Sequence, residues 1–273
     1  MFGIILILVC IGLFFLYFFM TMGKPVYDCW LKDYDYAHRG LHSEEVPENS
    51  IPAFEHAIRQ GYAIELDVHR SKDGILVVFH DDDLERMTGR KGRIEDLALT
   101  ELQTLRLAGT EEKIPTFDAV LKAVGGKVPL LIELKNTGRA GRLEVDVCER
   151  LKGYEGKFAV QSFSPYSMRW FYKHAPQVLR GQLSATFEEG AEAIPAWQRW
   201  GLRHLLTNVM CRPNFINYEK NGVKQPIVER LRKSGVPVFA WTIRSEEERK
   251  AAEPYIDALV FEQFEPQGGK HAQ

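Results

Sequence analysis

The sequence predicts an α/β fold, a TIM-type (β/α)8 barrel with a small insertion after the second strand, preceded by one N-terminal transmembrane helix. Strand-like and helix-like segments alternate from residue 34 onward, and eight such alternations fit into about 240 residues, the usual size of this barrel. Polar side chains also follow the ends of the first strands. We divide the chain into an anchor (1–23), a juxtamembrane linker (24–33), a barrel (34–266) and a flexible tail (267–273).

The first segment is apolar and carries no charged side chain through residue 23. About 20 such residues span the hydrocarbon core of a bilayer. A cleavable signal peptide is the alternative, but it needs a basic start and small residues at a cleavage site, which Thr21-Met22-Gly23 does not provide. Lys24 and Lys32 follow the span, so the positive-inside rule favours a cytoplasmic catalytic domain. Two lysines leave the side of the membrane open.

Composition excludes some classes of protein. Lys+Arg 35 against Asp+Glu 37 gives a net charge of -2, so no general electrostatic attraction to nucleic acid is expected. The cysteines are too widely spaced for a metal knuckle and predict no disulfide framework; they are Cys10, Cys29, Cys148 and Cys211.

The barrel elements follow in chain order. A short first strand (35–38) precedes a helix for which Ser50 is a suitable N-terminal cap, with Ile51, Phe54 and Ile58 at helical spacing. The second strand (62–69) is followed by a strand-like excursion (75–80) and a polar insertion (81–113) that contains a short helix near 99–107. Further strands are predicted at 128–134, 158–162, 178–183, 204–208, 236–241 and 256–260, separated by helices at 116–124, 142–152, 165–174, 187–197 and 226–234.

Two carboxylates lie on one face of the second strand, because side chains alternate along a strand and Glu65 and Asp67 are two residues apart. In a buried parallel strand both can stay ionised only beside a compensating cation. Glu133 on the next barrel strand can face the same way. Three carboxylates with water suit Mg²⁺ or Ca²⁺. An isolated Glu-x-Asp is otherwise typical of the wet face of an antiparallel strand.

Two histidines and two cations follow the same strand ends. His38 and His80 could form a proton-transfer pair, since imidazole titrates near neutral pH. Arg39 offers a planar fork for phosphate oxygens, and Lys135 a second positive charge. Each residue alone is a weak signal, but their position at successive strand ends predicts an active site.

These motifs resemble those of the glycerophosphodiester phosphodiesterase family, over essentially the whole chain after the linker. The first half of the resemblance consists of His38-Arg39-Gly40, Pro47-Glu48-Asn49-Ser50, Ala53-Phe54, Gly61, Glu65-Leu66-Asp67-Val68, Asp73-Gly74, Val78 and His80-Asp81. It continues through Leu84, Arg86, Thr88, Gly92, Leu102, Ile114-Pro115-Thr116-Phe117, Glu133-Leu134-Lys135, Gln161-Ser162-Phe163 and Trp241-Thr242.

The resemblance implies a metal-dependent hydrolase that cleaves glycerophosphodiesters to glycerol 3-phosphate and an alcohol. It implies acid/base roles for His38 and His80. The metal ligands would be Glu65, Asp67 and Glu133, and the phosphate-binding and substrate-site cations Arg39 and Lys135. The cofactor would be one divalent cation, Mg²⁺ or Ca²⁺.

The sequence departs from the family pattern after Trp241-Thr242, where Ile243-Arg244 follows, and at the last strand, which ends in Phe261-Glu262. These changes leave the identity of the alcohol group open. The native metal, the choice between water and the glycerol 2-hydroxyl as nucleophile, the order in which the histidines act and the oligomeric state are open as well. The alternatives are a lysophospholipase D-type reaction at the membrane and an inactive barrel that serves as a binding module.

Overall fold

The computed structural model describes residues 2–21, 30–136, 138–187 and 195–270. A closed barrel of eight parallel strands forms the centre of the described chain, which confirms the predicted fold. The strands are β1 (Tyr36–Ala37), β2 (Ala63–Arg70), β3 (Leu76–Val78), β4 (Leu130–Leu134), β5 (Phe158–Ser162), β6 (Leu179–Ser184), β7 (Phe215–Glu219), β8 (Val238–Ile243) and β9 (Ala258–Phe261). The barrel closes through β1, where Tyr36 pairs with Ala63 of β2 and with Val260 of β9. Strand β3 is the exception, since it pairs antiparallel with β2 outside the ring.

One helix precedes the first strand, and the others lie in the segments between strands. The helices are α1 (Phe2–Thr21), α2 (Ile51–Gln60), α3 (Glu85–Thr88), α4 (Leu99–Leu102), α5 (Phe117–Val124), α6 (Arg142–Leu151), α7 (Pro165–His174), α8 (Ala196–Arg203), α9 (Asn208–Cys211), α10 (Pro226–Lys233) and α11 (Glu246–Ala252). The side chains of Ser50, Thr116, Ser164 and Ser245 accept backbone N–H bonds at the starts of α2, α5, α7 and α11. Such caps satisfy donors that have no partner within the helix.

The interior of the barrel has an apolar floor beneath a polar upper layer. The floor includes Tyr36, Ala63, Leu131, Ala159, Phe215, Phe239 and Val260. Because side chains alternate along a strand, the residues two positions after Ala63, Leu131 and Ala159 face the same interior. These residues are Glu65, Glu133 and Gln161, so the polar layer lies toward the carboxyl ends of the strands.

A glycine on β6 makes room for this floor. A Cβ atom on Gly181 would come within 2.1 Å of the Phe215 ring. The absence of a side chain at this position therefore allows the phenyl group to fill the barrel interior.

The insertion after the second barrel strand is confirmed. Strand β3 pairs with the end of β2, where Val68 lies opposite Val78. The insertion packs a small core of its own, formed by Val77, Phe79, Leu84, Met87, Ile94, Leu102, Leu107 and Ile114. The helix predicted near 99–107 is shorter, since α4 ends at Leu102.

The strand predicted at 204–208 is wrong. Residues 204–207 form turns between α8 and α9, which begins at Asn208, and Leu205 has a φ of 55° with its N–H bonded to the Leu202 carbonyl. The barrel strand is β7 instead. A short apolar run bounded by polar residues does not distinguish strand from helix or turn, and the polar Asn217 in β7 hides the true strand. Most of the helix predicted at 187–197 lies outside the described residues, and α8 begins at Ala196.

The predicted transmembrane span is not supported. Helix α1 begins at Phe2 and ends at Thr21, and the described side chains from Phe2 to Tyr17 are exposed. Within the described ranges, no helix combines the length and the apolar character that crossing a membrane requires. Residue 1 and most of the predicted linker lie outside the described residues. The domain boundaries stay predictions, although the backbone of Lys270 does bond to Asp35 at the start of the barrel.

Candidate active site

A cavity of about 290 Å³ opens at the carboxyl ends of the barrel strands. Side chains from most of the barrel strands and from the loops that follow them contribute to its walls. Its lining consists of His38, Arg39, Glu65, His80, Glu133, Lys135, Gln161, Phe163, Leu183, Asn217, Trp241, Thr242, Arg244 and Val260. Six of the seven residues predicted to form the site are among them, and the seventh, Asp67, forms ion pairs with Arg39 and Lys135.

Three carboxylates form a compact cluster at the wall of this cavity, and two of them line it. Glu65 and Asp67 lie on β2, Glu133 lies on β4, and one oxygen of each lies within 4.8 Å of one oxygen of the others. The register explains the grouping, because Asp67 pairs directly with Glu133 across the two strands. All three side chains are buried.

Two cations lie against the cluster. The Lys135 Nζ is 3.0 Å from Asp67 Oδ1 and 2.7 Å from Glu133 Oε1. The Arg39 Nε is 3.7 Å from Asp67 Oδ2, and the Arg39 backbone N–H donates to Glu65 Oε2 at 3.1 Å. Burial alone would raise the pKa of Asp67, but Lys135, His80 and Arg39 hold that pKa well below its usual range. Asp67 is therefore ionised at neutral pH.

The negative charge of Glu65 is less well compensated than that of Asp67. Burial and the negative charges of Asp67 and Glu133 raise the pKa of Glu65 well above its usual value. Besides the Arg39 N–H, its side chain accepts a hydrogen bond from Gln161 Nε2 at 3.3 Å, and Asn217 Nδ2 in turn donates to Gln161 Oε1 at 2.9 Å. A further cation at the cluster would remove this repulsion, and three carboxylates are a donor set that hard divalent ions prefer. The residues present thus fit the predicted divalent metal.

His38 is oriented by a carboxylate that the sequence did not assign to the site. The His38 Nδ1 lies 2.5 Å from Glu262 Oε2, just after β9. Burial lowers the pKa of His38 to about 4, so the ring is neutral at pH 7 even though Glu262 favours the charged form. Burial would raise the pKa of Glu262, but its bonds to His38 and the charge of Arg244 hold it far below its usual range. A neutral His38 that donates from Nδ1 keeps Nε2 free to accept a proton.

His80 belongs to a chain of charged contacts. Its Nδ1 lies 2.6 Å from Asp81 Oδ1, and Arg86 Nε donates to Asp81 Oδ2 at 2.6 Å. Arg86 also donates to Glu48, whose Oε1 accepts a hydrogen bond of 2.7 Å from Arg39 NH1. His80, at the start of the insertion, is thereby connected to the loop that carries Arg39.

The loop after β1 holds its functional side chains through unusual backbone geometry. Arg39, Gly40 and Asn49 all have positive φ angles, of 56°, 82° and 54°. Asn49 Nδ2 donates to Asp67 Oδ2 at 2.8 Å, so this side chain does more than form a turn. Asn49 thereby ties the end of this loop to Asp67 on β2.

The site contains residues that the sequence interpretation did not assign to it. They are Glu262, Arg86, Glu48, Gln161 and Asn217, which orient the histidines, the arginine and the carboxylates. Most of them lie within the segments that carry the family resemblance, and that was the available signal. Glu262 was noted only as a departure, since nothing local connects residues 38 and 262.

Comparison with known proteins agrees with this geometry. Residues 38–262 match the Glycerophosphoryl diester phosphodiesterase family. A glycerophosphodiester phosphodiesterase of Caldanaerobacter subterraneus is 32% identical over 238 residues, which are 82% of this chain and 91% of that protein.

Two solved structures share both fold and sequence similarity with the chain. An Oleispira antarctica phosphodiesterase in complex with the product sn-glycerol-3-phosphate aligns with a TM-score of 0.69 and 28% identity, over 84% of this chain and 92% of that one. A glycerophosphodiester phosphodiesterase from Thermotoga maritima aligns with a TM-score of 0.65 and 27% identity, over 84% and 94%. The chain therefore belongs to the glycerophosphoryl diester phosphodiesterase family and is an enzyme of that family.

Proposed function

We propose that the protein is a metal-dependent hydrolase that cleaves glycerophosphodiesters to sn-glycerol 3-phosphate and an alcohol. The observation that carries the proposal is the buried cluster of Glu65, Asp67 and Glu133, of which Glu65 and Glu133 line the same cavity as His38 and His80. The product bound to the Oleispira antarctica relative supports glycerol 3-phosphate as the phosphate-containing product.

The metal would be held by Glu65, Asp67 and Glu133. Oxygen-only ligands favour Mg²⁺ or Ca²⁺ over zinc. Such an ion, when bound, neutralises charge on the phosphate and on the transition state. Arg39 and Lys135 line the cavity on either side of the cluster and add N–H donors for the phosphate oxygens.

The two histidines divide the proton transfers. His38 is neutral at pH 7 and is the base, so its Nε2 takes a proton from the attacking hydroxyl group. As the new oxygen–phosphorus bond forms, the bond from phosphorus to the alcohol oxygen breaks. His80, with Asp81 on its Nδ1, donates the Nε2 proton to that leaving oxygen. The attacking group is water, or the glycerol 2-hydroxyl followed by hydrolysis of a cyclic phosphate.

The test is the identity of the products. The full chain, purified in detergent, is incubated with glycerophosphocholine and Mg²⁺ or Ca²⁺, and the products are followed by phosphorus NMR. We expect glycerol 3-phosphate and choline. Phosphocholine and glycerol as products, or no cleavage with either ion, would contradict the proposal.

We also propose that α1 attaches the protein to a membrane, with a weak preference for a cytoplasmic catalytic domain. The exposed apolar side chains of Phe2 to Tyr17 support attachment to lipid. A full chain with Ile7→Asp and Leu13→Lys should leave the membrane fraction, whereas the unaltered chain should stay in it. Equal fractionation of both would contradict attachment through α1, and protease protection in sealed vesicles tests the side.

The exposed helix favours a second candidate substrate. Lysophospholipids contain the same phosphodiester and are held at a lipid surface, so a lysophospholipase D-type reaction could use the same cavity. Turnover of lysophosphatidylcholine and of glycerophosphocholine, measured under the same conditions, distinguishes the two. Higher kcat/KM for the lipid diester would make it the preferred substrate class.

A further inference from the structure

The catalytic cavity has a second charged wall on the far side of the barrel from Glu133 and Lys135. These two residues lie at the end of β4, whereas Arg244 immediately follows β8. In the strand order around the barrel, β8 lies halfway round from β4 in either direction. Arg244 lines the same cavity. A phosphodiester whose phosphate lies at the carboxylate cluster would therefore extend one of its substituents toward Arg244.

Arg244 is held in place at two points. Its backbone N–H donates to Glu248 Oε2 at 2.7 Å, and its Nε donates to Glu262 Oε1 at 2.7 Å. The side chain is 47% exposed. Among the described residues, no protein acceptor contacts its two terminal guanidinium nitrogens. The fork is thus positioned by the protein while most of its donors remain available to a ligand.

Glu262 forms an ion pair with Arg244 through Nε and leaves the two terminal guanidinium nitrogens to a ligand. Glu262 uses Oε1 for Arg244 and Oε2 for His38, and His42 Nε2 lies 3.7 Å from the same Oε2, so one carboxylate is shared among three side chains. Both positions are departures from the family pattern noted in the sequence. Arg244 and Glu262 carry opposite charges and form an ion pair, which indicates a local adaptation of this wall.

The neighbouring side chains also favour a polar ligand group. The Trp241 Nε1 is buried without a hydrogen-bond partner in the described structure, and Trp241 lines the cavity. The Phe163 ring packs edge-on against Trp241, with ring centroids 5.6 Å apart. Together this wall presents a guanidinium and an aromatic surface, with the unpaired indole N–H buried behind them.

We propose that Arg244 binds an anionic group on the leaving alcohol, so that the enzyme favours glycerophosphodiesters whose alcohol carries a phosphate or carboxylate. This inference rests on the proposed function. A planar guanidinium pairs with such groups through two parallel hydrogen bonds, whereas a cationic head group meets like-charge repulsion. Arg244 is in this view a specificity-determining residue on the leaving-group side.

The test compares two substrates that differ in the charge of the leaving alcohol. In glycerophosphoglycerol this alcohol is neutral glycerol, whereas in bis(glycerophospho)glycerol it is a glycerol that carries a second phosphodiester. The ratio of their kcat/KM values, anionic over neutral, is measured for the full chain with Mg²⁺ or Ca²⁺. The variants are Arg244→Gln, Arg244→Lys and the control Lys220→Gln. Lys220 pairs with Glu248 near the same loop but does not line the cavity.

We expect a ratio above one for the unaltered chain. Arg244→Gln should lower the ratio roughly tenfold to a hundredfold, the effect of one charge-assisted hydrogen bond. Arg244→Lys should retain part of the preference, and Lys220→Gln should leave the ratio unchanged. High salt should lower the ratio of the unaltered chain, since exposed charges are screened.

Two results would overturn the inference while the proposed function stands. One is a ratio at or below one for the unaltered chain. The other is an equal loss on both substrates in Arg244→Gln, which would mean that Arg244 acts only through Glu262 on His38. If the unaltered chain cleaves neither diester with either ion, the proposed function fails and the inference with it.

Discussion

The chemistry of single residues in this cavity depends on how each charge is compensated. His38 is buried and kept neutral, with its pKa lowered to about 4, while Asp67 is kept ionised by Lys135 and Arg39. Both effects come from position, because the same side chains in water would titrate near 6.5 and 3.9. At neutral pH the site therefore contains a neutral base, His38, and an ionised carboxylate, Asp67.

Removal of either histidine should impair turnover. His38→Ala and His80→Ala are each expected to lower kcat by roughly 10²-fold or more, the usual contribution of a positioned acid or base. His174→Ala is the matched control, since this exposed histidine lies on α7, bonds to the Trp170 carbonyl and is not among the residues that line the cavity. Near-normal turnover in both cavity variants would contradict their assigned roles.

The low pKa of His38 predicts the acid limb of the rate profile. A base acts when it is deprotonated, so kcat/KM for the unaltered chain should stay high as the pH falls through 6.5. It should decline only toward about pH 4, where His38 gains a proton. An acid limb with its midpoint near 6.5 would show that His38 is not the base or is not buried as described.

The lowered pKa of His38 also makes the free energy of unfolding depend on pH. Between about pH 6.5 and 4 the unfolded chain binds a proton on His38 that the folded chain does not, so this residue makes folding less favourable as the pH falls through that range.

At the scale of elements, the loop between β1 and α2 brings the site together. Arg39 reaches Glu65 and Asp67 on β2, and Asn49 reaches Asp67 from the other end of the loop. Arg39, Gly40 and Asn49 of this loop have left-handed backbone, a conformation that is strained for residues other than glycine. Its geometry therefore depends on Gly40.

Gly40→Ala should destabilise the fold and lower activity. Its φ is 82°, and a Cβ atom there would come within 2.9 Å of the Ala53 backbone carbon and Cβ, neither of which can move aside easily. Gly89→Ala is the control, because Gly89 also has a positive φ of 71° but faces open space. We expect a loss of about 1 kcal/mol for Gly89→Ala from backbone strain alone, and a larger loss for Gly40→Ala with reduced kcat/KM. Thermal unfolding and activity assays measure both, and equal effects would exclude the steric contact as the cause.

Elements with strong local patterns could be predicted from the sequence. The alternation that put Glu65 and Asp67 on one face is set by strand geometry, and strand register then brought Glu133 beside them. Strand β7 was missed because Asn217 faces the barrel interior, where an apolar residue would have revealed the pattern. The contact between His38 and Glu262 could not be predicted, since it depends on barrel closure between residues distant in sequence.

At the scale of the whole molecule, the barrel gathers like charges that the fold alone does not neutralise. Glu65 shares the cluster with two other carboxylates, and burial together with repulsion from them raises its pKa. A bound divalent ion would relieve that repulsion in the folded state only, so it should stabilise the protein by mass action.

Metal should therefore raise the melting temperature. Saturating Mg²⁺ or Ca²⁺, at about 100 times the dissociation constant, should add about 2.7 kcal/mol to the free energy of unfolding. Glu65→Gln should raise the metal-free melting temperature, because it removes one of three like charges, and should abolish most of the response to metal. The exposed Glu149→Gln is the control and should behave like the unaltered chain.

The measurement that tests the central claim most directly is the release of glycerol 3-phosphate from glycerophosphocholine by the full chain. The assay is run after EDTA treatment and again after addition of Mg²⁺ or Ca²⁺, beside Glu65→Ala. We predict that activity is lost with EDTA, is restored by at least one of the two ions, and is not restored in Glu65→Ala. Full activity in EDTA, or equal restoration in the variant, would contradict a catalytic metal at this carboxylate cluster.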